Sequence, residues 1–349
     1  VPDLGRRPPW GAYALKTLLH GGDLEAFGRQ NPEATRPLID LSTGINPHAY
    51  ETGVDKGWMT RLPNHVDEET CRLAFATYAG VDPALVQVMP GTQTIISGLP
   101  HLFHKKRIAI LSPTYGEHDA SWRAAGHVLA QYPASEVLTA DADIIVVTNP
   151  NNPDGFVFEA EALRACQARQ RERGGWLIVD EAFVDCTPEF SVAPDVQNGG
   201  LLVLRSFGKF FGLAGLRLGF LLGPAEVSAP LVERMGPWGV STPALCIAAK
   251  AYDDTAWIAE TRKSLREQME RLRDRVTPLL GKEVGLTPLF MLLECADARA
   301  AAALMADHGI FVRTFPNMRD YLRLGLPGEP WAWERLETAL TEWEHKNEC

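Results

Sequence analysis

The 349-residue chain has no excess of positive charge, no close cysteine pair and no long apolar run. Lysine and arginine number 34 against 44 aspartates and glutamates, a formal net charge of −10. That argues against a nucleic-acid surface, because a phosphate backbone needs a basic footprint. An anionic substrate would have to be met by a local positive site. The six cysteines (Cys71, Cys166, Cys186, Cys246, Cys295 and Cys349) are scattered, and none form a C-x-x-C pair. The pattern predicts free thiols in a reducing cytoplasm rather than a disulfide scaffold or a zinc site. There is no apolar stretch of about eighteen residues, no secretory signal and no lipidation pattern, so a soluble protein without membrane association is expected. No G-x-x-x-x-G-K-Ser/Thr loop occurs, and Gly212, Gly215 and Gly219 do not fit G-x-G-x-x-G. His101 and His104 would share a helix face, but Lys105 and Lys106 beside them mark a solvated helix end. No metal is expected.

What the chain does contain is organised around Arg205-Ser-Phe-Gly-Lys-Phe-Phe-Gly-Leu-Ala-Gly-Leu-Arg-Leu-Gly-Phe220. Its one lysine, Lys209, lies among aromatics and glycines, with Ser206 three residues before it and Arg217 eight after. Partial desolvation disfavours the ammonium and lowers its pKa, which suits a Schiff-base nucleophile. Ser206 and Arg217 could hold a phosphate, one as a hydroxyl donor and the other as a bidentate clamp. Lysine and phosphate site together suggest pyridoxal phosphate. The bland alternative is a lysine that snorkels out of an apolar run. Ser206-x-x-Lys209 also matches a serine-hydrolase pattern, but the companion S-D-N and K-T-G motifs are absent.

Continuous apolar runs at 107–112, 144–148, 176–183 and 201–206 read as strands buried on both faces. Short strands are expected at 38–47, 86–90, 216–222, 285–293, 310–313 and 321–325. Helical spacing marks 67–79, a helix opening at Gly91-Thr92-Gln93, another near Glu117, 159–173, a long stretch, continuous or interrupted, from Pro243 to about Val276, and 298–308. Strands alternating with helices predict an α/β fold with a mainly parallel sheet in a large domain, and a smaller α/β domain. The expected division is an N-terminal arm and part of the small domain at 1–45, the large domain at 46–240, and a linking helix with the small domain at 241–349. Ligands of such sheets bind at the carboxyl ends of the strands. Thr92, Tyr115, Asn152, Asp180, Ser206 and Lys209 all fall at or just past such ends.

Taken together, these residues resemble the fold-type I pyridoxal phosphate enzymes of the aspartate aminotransferase superfamily. Within it the chain is most similar to the L-threonine-O-3-phosphate decarboxylases of cobalamin biosynthesis, relatives of the histidinol-phosphate aminotransferases. The resemblance runs from about His20 to Gly325. It implies that Lys209 carries the cofactor, that Asp180 pairs with the pyridinium nitrogen, and that Asn152 donates to the ring's phenolate oxygen. It further implies that Tyr115 stacks on the ring, and that Gly91, Thr92, Gln93, Ser206 and Arg217 hold the cofactor phosphate. Arg323 would grip the substrate carboxylate. His20-Gly21-Gly22, Asn46 in Gly44-Ile-Asn-Pro47, and Arg313 would serve the substrate phosphate. A homodimer is implied too.

Three positions depart from the wider pattern. Phe183 stands where many aminotransferases have tyrosine, which in this resemblance favours the decarboxylase branch. Leu62 replaces a tyrosine expected to reach the neighbouring subunit's cofactor phosphate, and Gly208 replaces a hydroxyl residue before the lysine. An aminotransferase acting on a phosphorylated substrate such as histidinol phosphate, and a non-catalytic binding protein of the same fold, remain as alternatives.

Overall fold

A computed structural model describes residues 20–347, so Leu19, the first part of the N-terminal arm and Cys349 lie outside the described residues. Thirteen strands are described in chain order. They are β1 (Ile39–Asp40), β2 (Val86–Met89), β3 (Arg107–Leu111), β4 (Val128–Tyr132), β5 (Ile144–Thr148), β6 (Trp176–Asp180), β7 (Leu201–Ser206) and β8 (Gly219–Leu222), then β9 (Lys282–Thr287), β10 (Phe290–Glu294), β11 (Ile310–Phe311), β12 (Arg313–Phe315) and β13 (Met318–Gly325).

Seven strands form one sheet in the order β2-β8-β7-β6-β5-β3-β4. β8 runs antiparallel to both its neighbours and the other pairings are parallel. Alternate residues of the central strands feed two separate apolar layers. Ile145, Val147, Leu177 and Val179 belong to one, and Ile144, Val146 and Ile178 to the other. This is why those strands read as unbroken apolar runs: both faces are covered. Among the described residues, no helix is long and apolar enough to cross a membrane.

A four-stranded antiparallel sheet, β12-β13-β10-β9, is built from the C-terminal part of the chain. The N-terminal β1 pairs in parallel with β11, Ile39 opposite Ile310. Between the two sheets run a helix at Thr242–Asp253 and a 26-residue helix at Thr255–Leu280. They break at Asp254, whose carboxylate accepts from the Trp257 amide at 3.0 Å and so caps the longer helix.

Several expectations needed correction. The run 285–293 is not one strand but the hairpin β9–β10, because Pro288 has no N–H to continue a ladder. Thr287 closes that turn through Oγ1, which accepts from the Phe290 amide at 3.0 Å. Residues 38–47 hold only the two-residue β1, and 216–222 holds strand only from Gly219. The edge strand β4 went unread because it is mostly exposed and shows no apolar pattern. Helices at Ala225–Met235 and Pro330–Asn347 were also unread.

At the carboxyl ends of β6 and β7 a charged cluster is buried. Arg205 Nη1 lies 3.4 Å from Glu181 Oε2, and Nη2 bonds Asp185. Tyr78 donates to Asp185 Oδ1 at 3.0 Å, and Arg262 of the long helix donates to the Asp185 carbonyl at 2.7 Å and to the Tyr78 oxygen at 2.9 Å. Burial pushes Glu181 up to about 7, against the pull of Arg205. Removing one partner of such a cluster strands the others. Arg205→Met should destabilise the protein by about 3–5 kcal/mol, seen as a lower urea midpoint, and an unchanged midpoint would show that the cluster contributes nothing.

Candidate active site

The strand ends do what parallel registry requires. Thr148 at the end of β5 is paired with Asp180 at the end of β6, and Ser206 closes β7. The next residues wind into a short helix, Phe207–Phe210, which carries Lys209. Asp180 is buried. Its Oδ2 lies 2.9 Å from His118 Nε2 and its Oδ1 accepts from the Ala182 amide at 3.1 Å. A carboxylate fixed at both oxygens cannot rotate away, so its orientation is set before any ligand arrives. His118, equally buried, was not singled out from the sequence. The available signal was its spacing, three residues after Tyr115 on the helix Gly116–Ala124.

Lys209 Nζ stands 5.7 Å from the centre of the Phe183 ring. Burial holds its pKa down to about 8, Arg323 and Arg217 add to that, and Asp180 opposes it. The amine therefore exchanges a proton near neutral pH, as a lysine nucleophile or acid needs.

The Gly91-Thr92-Gln93 turn and Arg217 come together from distant parts of the chain. Gly91 has φ +80°, and a Cβ there would sit 3.0 Å from Arg217 Nη2. A Cβ on Gly219 would sit 2.8 Å from the Thr92 amide nitrogen and 2.8 Å from the Arg205 carbonyl oxygen. β8 can lie this close to the Thr92 amide only because it begins with a glycine, named in the sequence only for failing a dinucleotide motif. Ser206 ends the adjoining strand, directly paired with Gly219. Tyr115 donates to Gln93 Oε1 at 3.0 Å, and burial, with Glu117 and Asp180, pushes its phenol up to about 12. The missing hydroxyl before the lysine also has a cause. A Cβ on Gly208 would lie 2.6 Å from Ala214 Cα, so the turn has no room for a side chain. Leu62 is 62% exposed, on the outer surface of the chain. The Thr92 amide at a helix start, the nearby Arg217, the enclosed amine of Lys209 and the locked carboxylate of Asp180 fit pyridoxal phosphate.

Opposite this group stand two arginines. Arg313 on β12 and Arg323 on β13 are direct cross-strand partners. Arg323 is buried; it donates to Asn152 Oδ1 and, at 2.7 Å, to the Ser42 carbonyl, and lies 5.0 Å from the Phe290 ring centre. Its Nε is buried and finds no hydrogen-bond partner among the described residues. Burial first, then Arg313, lowers its pKa to about 9. Because Asn152 accepts from Arg323 through Oδ1, its Nδ2 is the atom left to donate to a ligand.

The His20-Gly21-Gly22 segment docks on Ser42. The Gly22 amide donates to Ser42 Oγ at 2.8 Å, and a Cβ on Gly21 would lie 2.5 Å from the Ser42 carbonyl oxygen. His20 Nε2 lies 3.0 Å from Glu117 Oε1, and its ring centre is 5.9 Å from that of Tyr115. Asn46 is buried, its Nδ2 donates to the Phe210 carbonyl at 2.9 Å, and its Oδ1 accepts from the His48 amide at 2.9 Å. One N–H and one lone pair of its amide are thereby committed to backbone. Among the described residues no cluster of histidine, cysteine, aspartate or glutamate could hold a metal ion.

Residues 39–331 match the model of the family "Aminotransferase class I and II". A threonine-phosphate decarboxylase of Pseudomonas aeruginosa is 40% identical over 93% of this chain and 97% of its own length. One from a Sinorhizobium species is 37% identical, over 94% and 98%. The crystal structure of histidinol-phosphate aminotransferase from Sinorhizobium meliloti, in complex with pyridoxal-5'-phosphate, shares the fold at a TM-score of 0.80 and 19% identity, over 97% of this chain and 99% of that one. With lysine, carboxylate and phosphate turn gathered at the strand ends of a matching fold, the chain belongs to the class I and II aminotransferase family of fold-type I pyridoxal phosphate enzymes and is closely related to the threonine-phosphate decarboxylases.

Proposed function

We propose that the protein is a pyridoxal phosphate-dependent decarboxylase that converts L-threonine O-3-phosphate to (R)-1-amino-2-propanol O-2-phosphate and carbon dioxide, a step of cobalamin biosynthesis. The observation that carries this reading is the pairing of Arg313 with Arg323 across β12 and β13. Like charges directly opposite each other repel, and an anion placed between them would offset that repulsion. A substrate bearing both a carboxylate and a phosphate supplies two. The names of the two relatives at 40% and 37% identity point to the same substrate.

In this reading Arg323 holds the substrate carboxylate, and Arg313 with His20-Gly21-Gly22 holds the phosphate. Gly91, Thr92, Gln93, Ser206 and Arg217 hold the cofactor phosphate, Tyr115 covers the ring, Asn152 donates through Nδ2, and Asp180, oriented by His118, faces the ring nitrogen. When bound, pyridoxal phosphate supplies the electron sink for the pair left on Cα. The residues would decide which bond at Cα breaks: Arg313 and His20-Gly21-Gly22 at the phosphate and Arg323 at the carboxylate would fix which bond is presented for cleavage. As that carbon–carbon bond breaks, carbon dioxide leaves, the electron pair stays at Cα, and the ammonium of Lys209 delivers the proton that replaces it.

The same reading includes a homodimer, a cytoplasmic location and the domain division at 1–45, 46–240 and 241–349. Met59, Leu62 and Val66, exposed apolar side chains within one short stretch, support self-association. The free cysteines among the described residues support a reducing compartment. The β1–β11 pairing supports grouping the N-terminal segment with the C-terminal sheet.

Three outcomes are expected. Purified, cofactor-loaded protein should release carbon dioxide from L-threonine O-3-phosphate with no keto acid present, and Lys209→Ala should abolish this. Turnover only with histidinol phosphate and 2-oxoglutarate would instead make it an aminotransferase. Gly219→Ala should weaken cofactor affinity at least about tenfold in an absorbance titration, since the added methyl would push the Thr92 amide out of place. Finally, a lysine with a lowered folded pKa destabilises while charged. Lys209→Met should therefore raise the stability of the cofactor-free protein by about 1–3 kcal/mol below pH 8. The unfolded chain binds the extra proton between about pH 8 and 10.5, so the gain should shrink across that window and vanish above it in thermal melts.

A further inference from the structure

The helix that carries Lys209 is a single turn, Phe207–Phe210. A turn that short has few donors of its own for its last carbonyls: that of Lys209 is reached locally by the Gly212 amide at 3.3 Å, and the remaining partners lie outside the helix. Here they come from one loop far away in sequence. The Asn46 amide donates to the Lys209 carbonyl at 3.0 Å, the Asn46 side chain donates to the Phe210 carbonyl at 2.9 Å, and the Tyr50 amide donates to the Phe211 carbonyl at 2.9 Å. Three successive carbonyls, beginning with that of the lysine itself, are therefore held by residues 46–50. Asn46 supplies two of the three bonds, and its own Oδ1 is fixed by the His48 amide at 2.9 Å. The packing leaves no slack: a Cβ on Gly212 would lie 2.7 Å from both the Asn46 carbonyl oxygen and Ala49 Cα.

We infer that Asn46 is a positioning residue for Lys209, acting through the backbone of the lysine's own turn and not through contact with substrate. The inference rests on the role given to Lys209 above. Its physical basis is lever length. Four methylenes separate the backbone from Nζ, so a small rotation of an uncapped turn moves the amine by an ångström or more, a misplacement that can cost on the order of a hundredfold in rate. The brace also links the two ends of the site. The same segment begins at Ser42, whose carbonyl accepts from Arg323 and whose hydroxyl accepts from Gly22. The chain from 42 to 50 thus references the carboxylate-binding arginine and the lysine to one another.

The test compares wild type with Asn46→Ala by two readouts. In the cofactor-free full chain, competitive labelling of Lys209 with acetic anhydride, read by mass spectrometry across pH, gives the titration midpoint of the amine. The variant should shift that midpoint upward by at least about one unit, toward an ordinary lysine near 10.4, because the released side chain is rehydrated. In the loaded enzyme, kcat should fall about 10- to 100-fold while KM changes less than about threefold. The opposite result, a KM raised about tenfold or more with kcat and labelling midpoint unchanged, would overturn the inference and make Asn46 a substrate contact. Should the alanine variant not fold, Asn46→Ser gives the same readouts; its hydroxyl can serve the His48 amide but falls short of the Phe210 carbonyl. The labelling result does not depend on the substrate, so a protein inactive on threonine phosphate still answers this question separately from the proposed function.

Discussion

Arg205 carries a positive charge into the interior at the point where the parallel strands end. It is held there by Glu181 and Asp185, and all three side chains are buried. Such a charge is tolerated only when its partners are fixed, and they are: Ser191 Oγ and the Val192 amide each donate to Glu181 at 2.7 Å. The residues next to this cluster are those of the site. Asp180 immediately precedes Glu181, and Ser206 immediately follows Arg205. Arg262 brings the long helix Thr255–Leu280 to the same cluster, so the helix leading to the second sheet is anchored directly behind the cofactor side of the site. The ends of β6 and β7 are rigid because the charges beyond them have nowhere else to go.

The site is a local inversion of the protein's overall charge. The chain carries a net −10, yet Arg217, Arg313, Arg323 and Lys209 converge on one space. Their mutual repulsion and desolvation appear in the lowered pKa values of Lys209 and Arg323, to about 8 and about 9. Asp180 offsets part of it. An anion placed among these groups would offset that repulsion. A cofactor phosphate and a doubly anionic substrate are ligands of the right sign and number.

Much of this was legible beforehand, and the misses share a cause. Strands β3, β5, β6 and β7 stand out because both faces are buried, and the ligand-facing residues follow at their ends. Lys209, Asp180, Tyr115, the Gly91 turn and Arg217 could be picked out by residue type in that position. β4 was invisible because an edge strand with Val128 71% exposed carries no apolar pattern. His118, Glu117 and Ser42 were missed because each acts on a partner distant in sequence. Asn46 was recognised as a notable residue, but the sequence carries no sign of which way its amide points.

Read alone, the chain determined the buried parallel strands β3, β5, β6 and β7 and placed Lys209 and Asp180 at or just past their ends, because those depend on local apolar runs and on residue types rarely found there. Tertiary structure alone decided that Arg313 and Arg323 would face each other, since that requires the register of β12 against β13. It alone decided that Gly219 would press against the Thr92 amide, a contact between residues 127 positions apart that depends on β2 and β8 lying side by side. It also decided that Asn46 would spend its side chain on the lysine's turn. Local sequence sets what each segment can form; only the pairing of distant segments sets what each side chain meets.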